Sequence, residues 1–138
     1  ELIDYMAKDA RTNSSAVVKK GQKDAKEARL SFRVMAANCL PYVLVEIHLA
    51  TGRHHQIRVQ MAHAGLPLFG DRKYNPDWEL YAKTWQAQMV NESADHAAHR
   101  LPAAELALCA TELTFRHPKT GKPMHFQVKP QKSVFQTF

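Results

Sequence analysis

The sequence predicts an α+β domain, a mixed, mainly antiparallel sheet with packed helices. Three observations carry that expectation. Two alternating apolar stretches flank a short turn around Asn38–Pro41. A helix-spaced block follows, between Gly52 and Gly65. A second alternating pair then closes the chain around His117–Gly121. Period two is the signature of a half-buried strand, and glycine or proline at the ends punctuates such elements.

Residues 1–13 start with apolar character (Leu2, Ile3, Tyr5, Met6) and turn polar. Residues 12–27 are rich in Ser, Lys and Gln with Gly21, and are expected to form an exposed connection. Leu30, Phe32 and Val34 then share one face opposite Ser31 and Arg33, and Val43, Val45, Ile47 and Leu49 share the next. Asn38-Cys39-Leu40-Pro41 supplies the turn between these two strands.

Thr51-Gly52 closes the second strand, and His54–Ala64 predicts a helix stopped by Gly65 and Pro67. Trp78, Tyr81, Trp85 and Met89 recur at helical spacing after Pro76, which predicts a second helix with its aromatic stripe in the core. Residues 93–104 are expected to be a loop carrying His96 and His99. Leu106–Phe115 and Met124-Phe126-Val128 predict a final strand pair across the turn His117-Pro118-Lys119-Thr120-Gly121. There is no internal repeat and no low-complexity tract.

Composition narrows the function classes. A chain of 138 residues with 45% hydrophobic content suits one domain with a real core. Its net charge of +6 points toward an acidic partner, most often nucleic acid. Cys39 and Cys109 stand alone, so neither a disulfide framework nor a cysteine zinc site is expected, and both thiols are read as reduced, cytoplasmic ones. No run reaches the length of a membrane span, and the start does not resemble a signal peptide. The first residue is Glu1 rather than methionine, which suggests a piece of a longer protein.

Eight histidines raise the question of a metal. His54 and His55 are adjacent, so on a helix their side chains diverge by about 100°. His96 and His99 have no cysteine or acidic ligand at zinc-like spacing, and no metal site is expected.

A helical projection of His54–Ala64 places Ile57, Met61 and Ala64 on one part of an apolar arc and Val59, Ala62 and Leu66 on another. Gln56, Gln60 and His63 crowd together on what this projection makes the solvent face. Arg58 falls in the middle of the apolar arc and points inward. A buried guanidinium cannot shed its proton, so it needs a carboxylate or phosphate partner. A structural salt bridge and a functional pairing both meet that need.

Thr51-Gly52-Arg53-His54-His55-Gln56-Ile57-Arg58 closely resembles the T-G-R-x-H-Q-I-R signature of RluA-type RNA pseudouridine synthases. Gly65-Leu66-Pro67-Leu68 and Gly70-Asp71-Arg72-Lys73-Tyr74 resemble the G-x-P-[IVL] and G-D-x-x-Y segments of that family. Leu108-Cys109-Ala110, Leu113, Phe115, His117 and Pro118 resemble its L-H-A…L…F…H-P pattern, with Cys109 where the family usually has histidine. The match spans most of the chain apart from an insertion around residues 76–100.

The resemblance implies that residues 1–138 are the C-terminal portion of a pseudouridine synthase catalytic domain. It implies isomerisation of uridine to pseudouridine in ribosomal or transfer RNA, without metal or organic cofactor. The essential aspartate of that family lies in an His-Arg-Leu-Asp motif. None of Asp4, Asp9, Asp24, Asp71, Asp77 and Asp95 follows His-Arg-Leu, and the motif belongs before Glu1. By resemblance Arg58 is the ion-pair partner of that absent aspartate, Leu108 packs near the target base, and Asp71 has a structural role.

RNA contacts are expected from Arg53, His54, His55, Arg72 and Lys73, with Arg100 contributing, whereas Lys19, Lys20, Lys23 and Lys26 read as a solvated charge run. The expected partners are RNA and the missing N-terminal half of the domain, with self-association of the fragment through an exposed sheet edge. The chain alone is then inactive. The alternative reading is a non-catalytic RNA-binding module on the same scaffold.

Overall fold

The computed structural model describes residues 1–39, 42–79, 105–136 and 138. The strands are β1 (Leu2–Asp9), β2 (Ser14–Val18), β3 (Lys26–Cys39) and β4 (Tyr42–Leu49), followed by helix α1 (Gln56–His63). Strands β5 (Glu112–Arg116) and β6 (Pro123–Gln127) and a short 3₁₀ turn at Ser133–Gln136 complete the order. The first four strands form one sheet in the order β2-β1-β3-β4, and β5 and β6 form a separate pair. Every strand pairing among the described residues is antiparallel.

The mainly antiparallel sheet is therefore present, but the described residues do not bear out several packed helices. Among the described residues α1 is the single α-helix laid on the sheet. The predicted second helix lies outside the described residues apart from Trp78 and Glu79, which are helical, and the loop with His96 and His99 lies wholly outside them. Leu40 and Pro41 of the expected turn lie outside them too.

Cross-strand register explains why β3 and β4 were legible. Leu30, Phe32 and Val34 lie opposite Leu49, Ile47 and Val45. Each pair projects to one side of the pleat, as apolar cross-strand pairs require. On the other side Arg33 and Glu46 face each other and form an exposed ion pair at 2.6 Å. A register shift between Val34 and Ala36 bends the far end of the hairpin.

Residues 12–27 are not wholly a connection: Ser14–Val18 form the edge strand β2 against β1. Only Ser15 and Val17 turn inward in this strand, too short an alternation to show as a periodic signal. Ser15 is buried, and Val17 packs on the core formed by Met6, Ala28 and Val59. That core joins β1, β3 and α1, and Tyr74 packs against its rim. Ala28 and Leu30 are fully buried, and the small Ala28 lets the helix sit close on the strand.

The helix stops as its sequence demands. Gly65 adopts a φ of 76°, its N–H donates to the Ala62 carbonyl, and the Leu66 N–H donates to Met61 at 2.9 Å. This is the Schellman arrangement, which a left-handed glycine makes possible. A second small core gathers Tyr42, Phe69, Ala107 and Phe135 around Val134. Here the Ala107 N–H donates to the Phe69 carbonyl at 2.9 Å.

The final strand pair is shorter than predicted. Leu106–Thr111 lies outside β5, and pairing starts at Glu112. The turn is as expected: Gly121 has a φ of 68°, and His117 Nδ1 accepts the amides of Lys119 and Thr120 at 3.2 Å each. Leu113, Phe115, Phe126 and Val128 are all exposed on this hairpin.

Candidate functional site

The site is built where β4 runs into α1. Thr51 Oγ1 accepts the Arg29 N–H at 2.8 Å and donates to Gln56 Oε1 at 2.9 Å. The Arg53 N–H donates to the same Gln56 oxygen at 2.8 Å. Gln56 Nε2 in turn donates to the Arg29 carbonyl and to Gln60 Oε1. Gln60 Nε2 reaches Asp4 Oδ2 at 2.8 Å and the Ala28 carbonyl at 3.2 Å. A continuous amide chain thus fastens the helix to β1 and β3.

This corrects the helical projection. Gln56 and Gln60, assigned to solvent, are 3% and 0% exposed, whereas His63 is exposed as expected. The reason is local. The backbone carbonyls of Ala28 and Arg29 face the helix, and buried acceptors require donors. Two glutamines one turn apart supply them, so the helix packs on its amide side. A pattern that ranks amides as polar reads that side the wrong way round.

Arg58 does point inward, with its side chain 18% exposed, and it has the carboxylate it needs. Nε and Nη2 donate to Asp71 Oδ2 and Oδ1, each at 2.8 Å. Asp71 thus supplies a carboxylate to Arg58 from among the described residues. Asp71 is 1% exposed, and its Oδ1 also accepts the amides of Lys73 and Tyr74. Burial pushes the Asp71 carboxyl up, but the Arg58 fork and the two amides outweigh it and hold it below the usual carboxylate range. The same fork raises Arg58 further above its ordinary value. The Tyr74 ring lies 4.9 Å beneath the guanidinium, adding a cation–π contact.

Asp71 reaches this position through a constrained turn. Gly70 has a φ of 75°, and a β-carbon there would run into the Glu105 backbone. The glycine before the aspartate is therefore demanded twice over, by conformation and by space.

The two histidines do not diverge. His55 caps the helix in the left-handed region at φ 54°, outside helical geometry, so the rings of His54 and His55 lie 3.8 Å apart. His54 Nδ1 meets Ser15 Oγ at 2.9 Å, and His55 Nδ1 meets the Tyr74 hydroxyl at 2.8 Å. The Ser15 N–H donates to that hydroxyl oxygen at 3.0 Å. The arrangement that uses every hydrogen has Tyr74 donating to His55 Nδ1, which leaves the His55 proton on Nε2. Desolvation lowers both histidines, and nearby positive charge lowers them further: Lys8, Lys73 and Arg58 for His54, and His54, Arg58 and Lys73 for His55. Neutral imidazoles are the favoured form.

The remaining expected RNA contacts are spread around this group. Arg53 is exposed, with Nε on the Glu27 carbonyl at 2.8 Å. Lys73 Nζ caps the β1–β2 turn through the carbonyls of Thr12 and Asn13. The Arg72 guanidinium lies 5.6 Å from the Trp78 ring. Leu108 is half-buried in the segment held to Phe69 through Ala107, and Cys109 Sγ lies 3.7 Å from the Ala110 carbonyl oxygen. Arg100 lies outside the described residues. The sequence alone assigns no hydrogen-bond partner to Ser15, Tyr74, Thr51, Gln56, Gln60 or Asp4. For the glutamines a signal existed, since Gln56 and Gln60 stand at i and i+4 beside an inward arginine.

The RNA pseudouridylate synthase family profile matches residues 2–63, which run from β1 to the end of α1. An uncharacterized RNA pseudouridine synthase of Bacillus subtilis is 34% identical over 105 residues, covering 76% of this chain and 27% of the relative. Ribosomal large subunit pseudouridine synthase C of Buchnera aphidicola is 34% identical over 119 residues, covering 84% and 32%. tRNA pseudouridine synthase C of Vibrio cholerae is 29% identical over 135 residues, covering 89% and 49%. The chain belongs to the RNA pseudouridine synthase family. It spans from about a quarter to a half of the length of these relatives.

Proposed function

We propose that residues 1–138 are the C-terminal portion of a pseudouridine synthase catalytic domain, and that the longer protein isomerises uridine to pseudouridine in ribosomal or transfer RNA. The observation that carries this reading is the state of Arg58. Asp71 engages Nε and Nη2, and Tyr74 supports the plane from below, so the guanidinium is held rigidly while Nη1 stays outside the fork. A group fixed in this way is suited to orient a second carboxylate, the catalytic aspartate of an His-Arg-Leu-Asp motif supplied from outside this chain. Asp71 is 1% exposed and both of its oxygens are taken by Arg58 and by the Lys73 and Tyr74 amides, so it is not that nucleophile.

Leu108 packs near the target base in this reading, and Arg53, His54, His55, Arg72 and Lys73 approach the RNA. The chain alone is inactive. The preceding part of the domain is its first partner, and the exposed apolar face of the β5–β6 hairpin supports the need for a covering element or a second copy.

The test is Arg58→Ala in the longer protein, with folding checked by circular dichroism. Pseudouridine formation should fall far more than RNA affinity. A comparable loss of both would favour a non-catalytic RNA-binding module instead. Pseudouridine formation by residues 1–138 alone would overturn the claim that the chain needs an external aspartate.

A further inference from the structure

A second feature lies beside the histidine pair. A cleft of about 280 Å³ opens between β1, the β2–β3 turn and the strand-to-helix junction, with Lys8, Lys26, Arg53, His54 and Asp24 in its wall. That is several times the roughly 30 Å³ share of one water molecule. Its three permanent cations face one carboxylate, an excess of two positive charges. Lys26, exposed like the rest of its charge run, stands at the start of β3 in the wall of this cleft.

We propose that this cleft is a phosphodiester site, in which Lys8, Lys26 and Arg53 hold the backbone of an RNA strand next to the Arg58 centre. The inference rests on the RNA reading above and adds the place where the strand's charge is met. Arg53 is pre-organised to meet a phosphate, because Nε on the Glu27 carbonyl fixes the guanidinium and directs neither Nη group into that bond. Its backbone amide is taken by Gln56, so the attraction comes from side chains and not from the helix end. His54 closes the wall as a neutral ring tied to Ser15, and such a ring contributes shape and one donor without adding charge. Burial first, and then the charges of Lys8 and Lys73, disfavour protonation of His54, so the ring stays neutral beside the cleft cations.

The test measures binding of the longer protein to a labelled, uridine-rich single-stranded RNA by fluorescence anisotropy, over a salt range of about 50 to 200 mM. The double variant K8Q/K26Q is compared with K119Q/K122Q, which removes equal charge from the exposed β5–β6 turn. Both cleft lysines are exposed, so folding should be kept, and a thermal melt checks this. Each lost phosphate contact lowers the salt slope by about 0.7, so K8Q/K26Q should lose roughly 1.4 in slope and the control nothing. Equal losses in both variants, or an unchanged slope in K8Q/K26Q with RNA still bound, would overturn the cleft while leaving the RNA reading intact. No RNA binding by the unaltered longer protein would overturn both. Inorganic phosphate added at fixed ionic strength separates the sources. Displacement of RNA at submillimolar phosphate would make the site one for free phosphate and sink the phosphodiester assignment.

Discussion

Arg58 on α1 and Asp71 in the turn after Gly70 meet across thirteen positions as a two-pronged ion pair, each prong 2.8 Å long. The carboxylate is 1% exposed and the guanidinium side chain 18%. Removing one partner of such a pair leaves an uncompensated buried charge. Asp71→Asn should cost about 3–5 kcal/mol of stability, read from urea denaturation. Replacing both partners together by apolar residues should recover much of that loss.

The same pair sets an acid limit. Asp71 titrates below the ordinary carboxylate range when folded, so the unfolded chain takes up its proton first. Its stabilisation is complete above about pH 4 and is lost as pH falls through the folded value. Melting curves of the unaltered chain should therefore drop more steeply below pH 4 than those of Asp71→Asn. Parallel curves would show that the pair does not control acid unfolding.

The histidines act in the same direction at higher pH. His54 and His55 are both lowered in the folded state, so the unfolded chain binds protons first as pH falls below about 6.5. Stability should decline as pH falls below about 6.5, and His54→Gln should flatten that decline. Nitrogen-15 spectra should find His55 as the Nε2–H tautomer. Tyr74→Phe should remove that preference and cost about 1 kcal/mol.

Gly70→Ala should be far more damaging than an ordinary surface change. The φ of 75° is strained for alanine, and its β-carbon would meet the Glu105 backbone. Strain of that kind alone costs about 1–3 kcal/mol, and the clash adds to it. Thermal melts would settle this: a variant as stable as the unaltered chain would mean the Glu105 backbone moves aside at no cost.

Gln60→Leu conserves volume but removes the donor to Asp4 and Ala28. Leaving those acceptors unmet should cost about 1–3 kcal/mol, even though leucine is the more hydrophobic residue. Hydrogen exchange at the β1–β3 amides should rise with it.

Much of the architecture was written in local pattern. The alternation in residues 30–34 and 43–49 led directly to β3 and β4, because apolar cross-strand pairs share one side of the sheet. Gly65 ended α1 where expected, since a left-handed residue is needed to close the last turn. By contrast β2 was hidden: only Ser15 and Val17 turn inward, and Ser15 is buried for its bonds to Tyr74 and His54 across the fold.

The sequence by itself determined the strands of the main hairpin, the end of α1, the inward direction of Arg58 and the family, because each of these depends on near neighbours or on a contiguous motif. Only the tertiary structure decided which groups Arg58, Gln56, Gln60 and the two histidines bond to. A buried polar side chain is placed by its hydrogen-bond partner, and here the partners are Asp71, the carbonyls of Ala28 and Arg29, Ser15 and Tyr74. All of these lie far enough away along the chain that no periodicity can connect them.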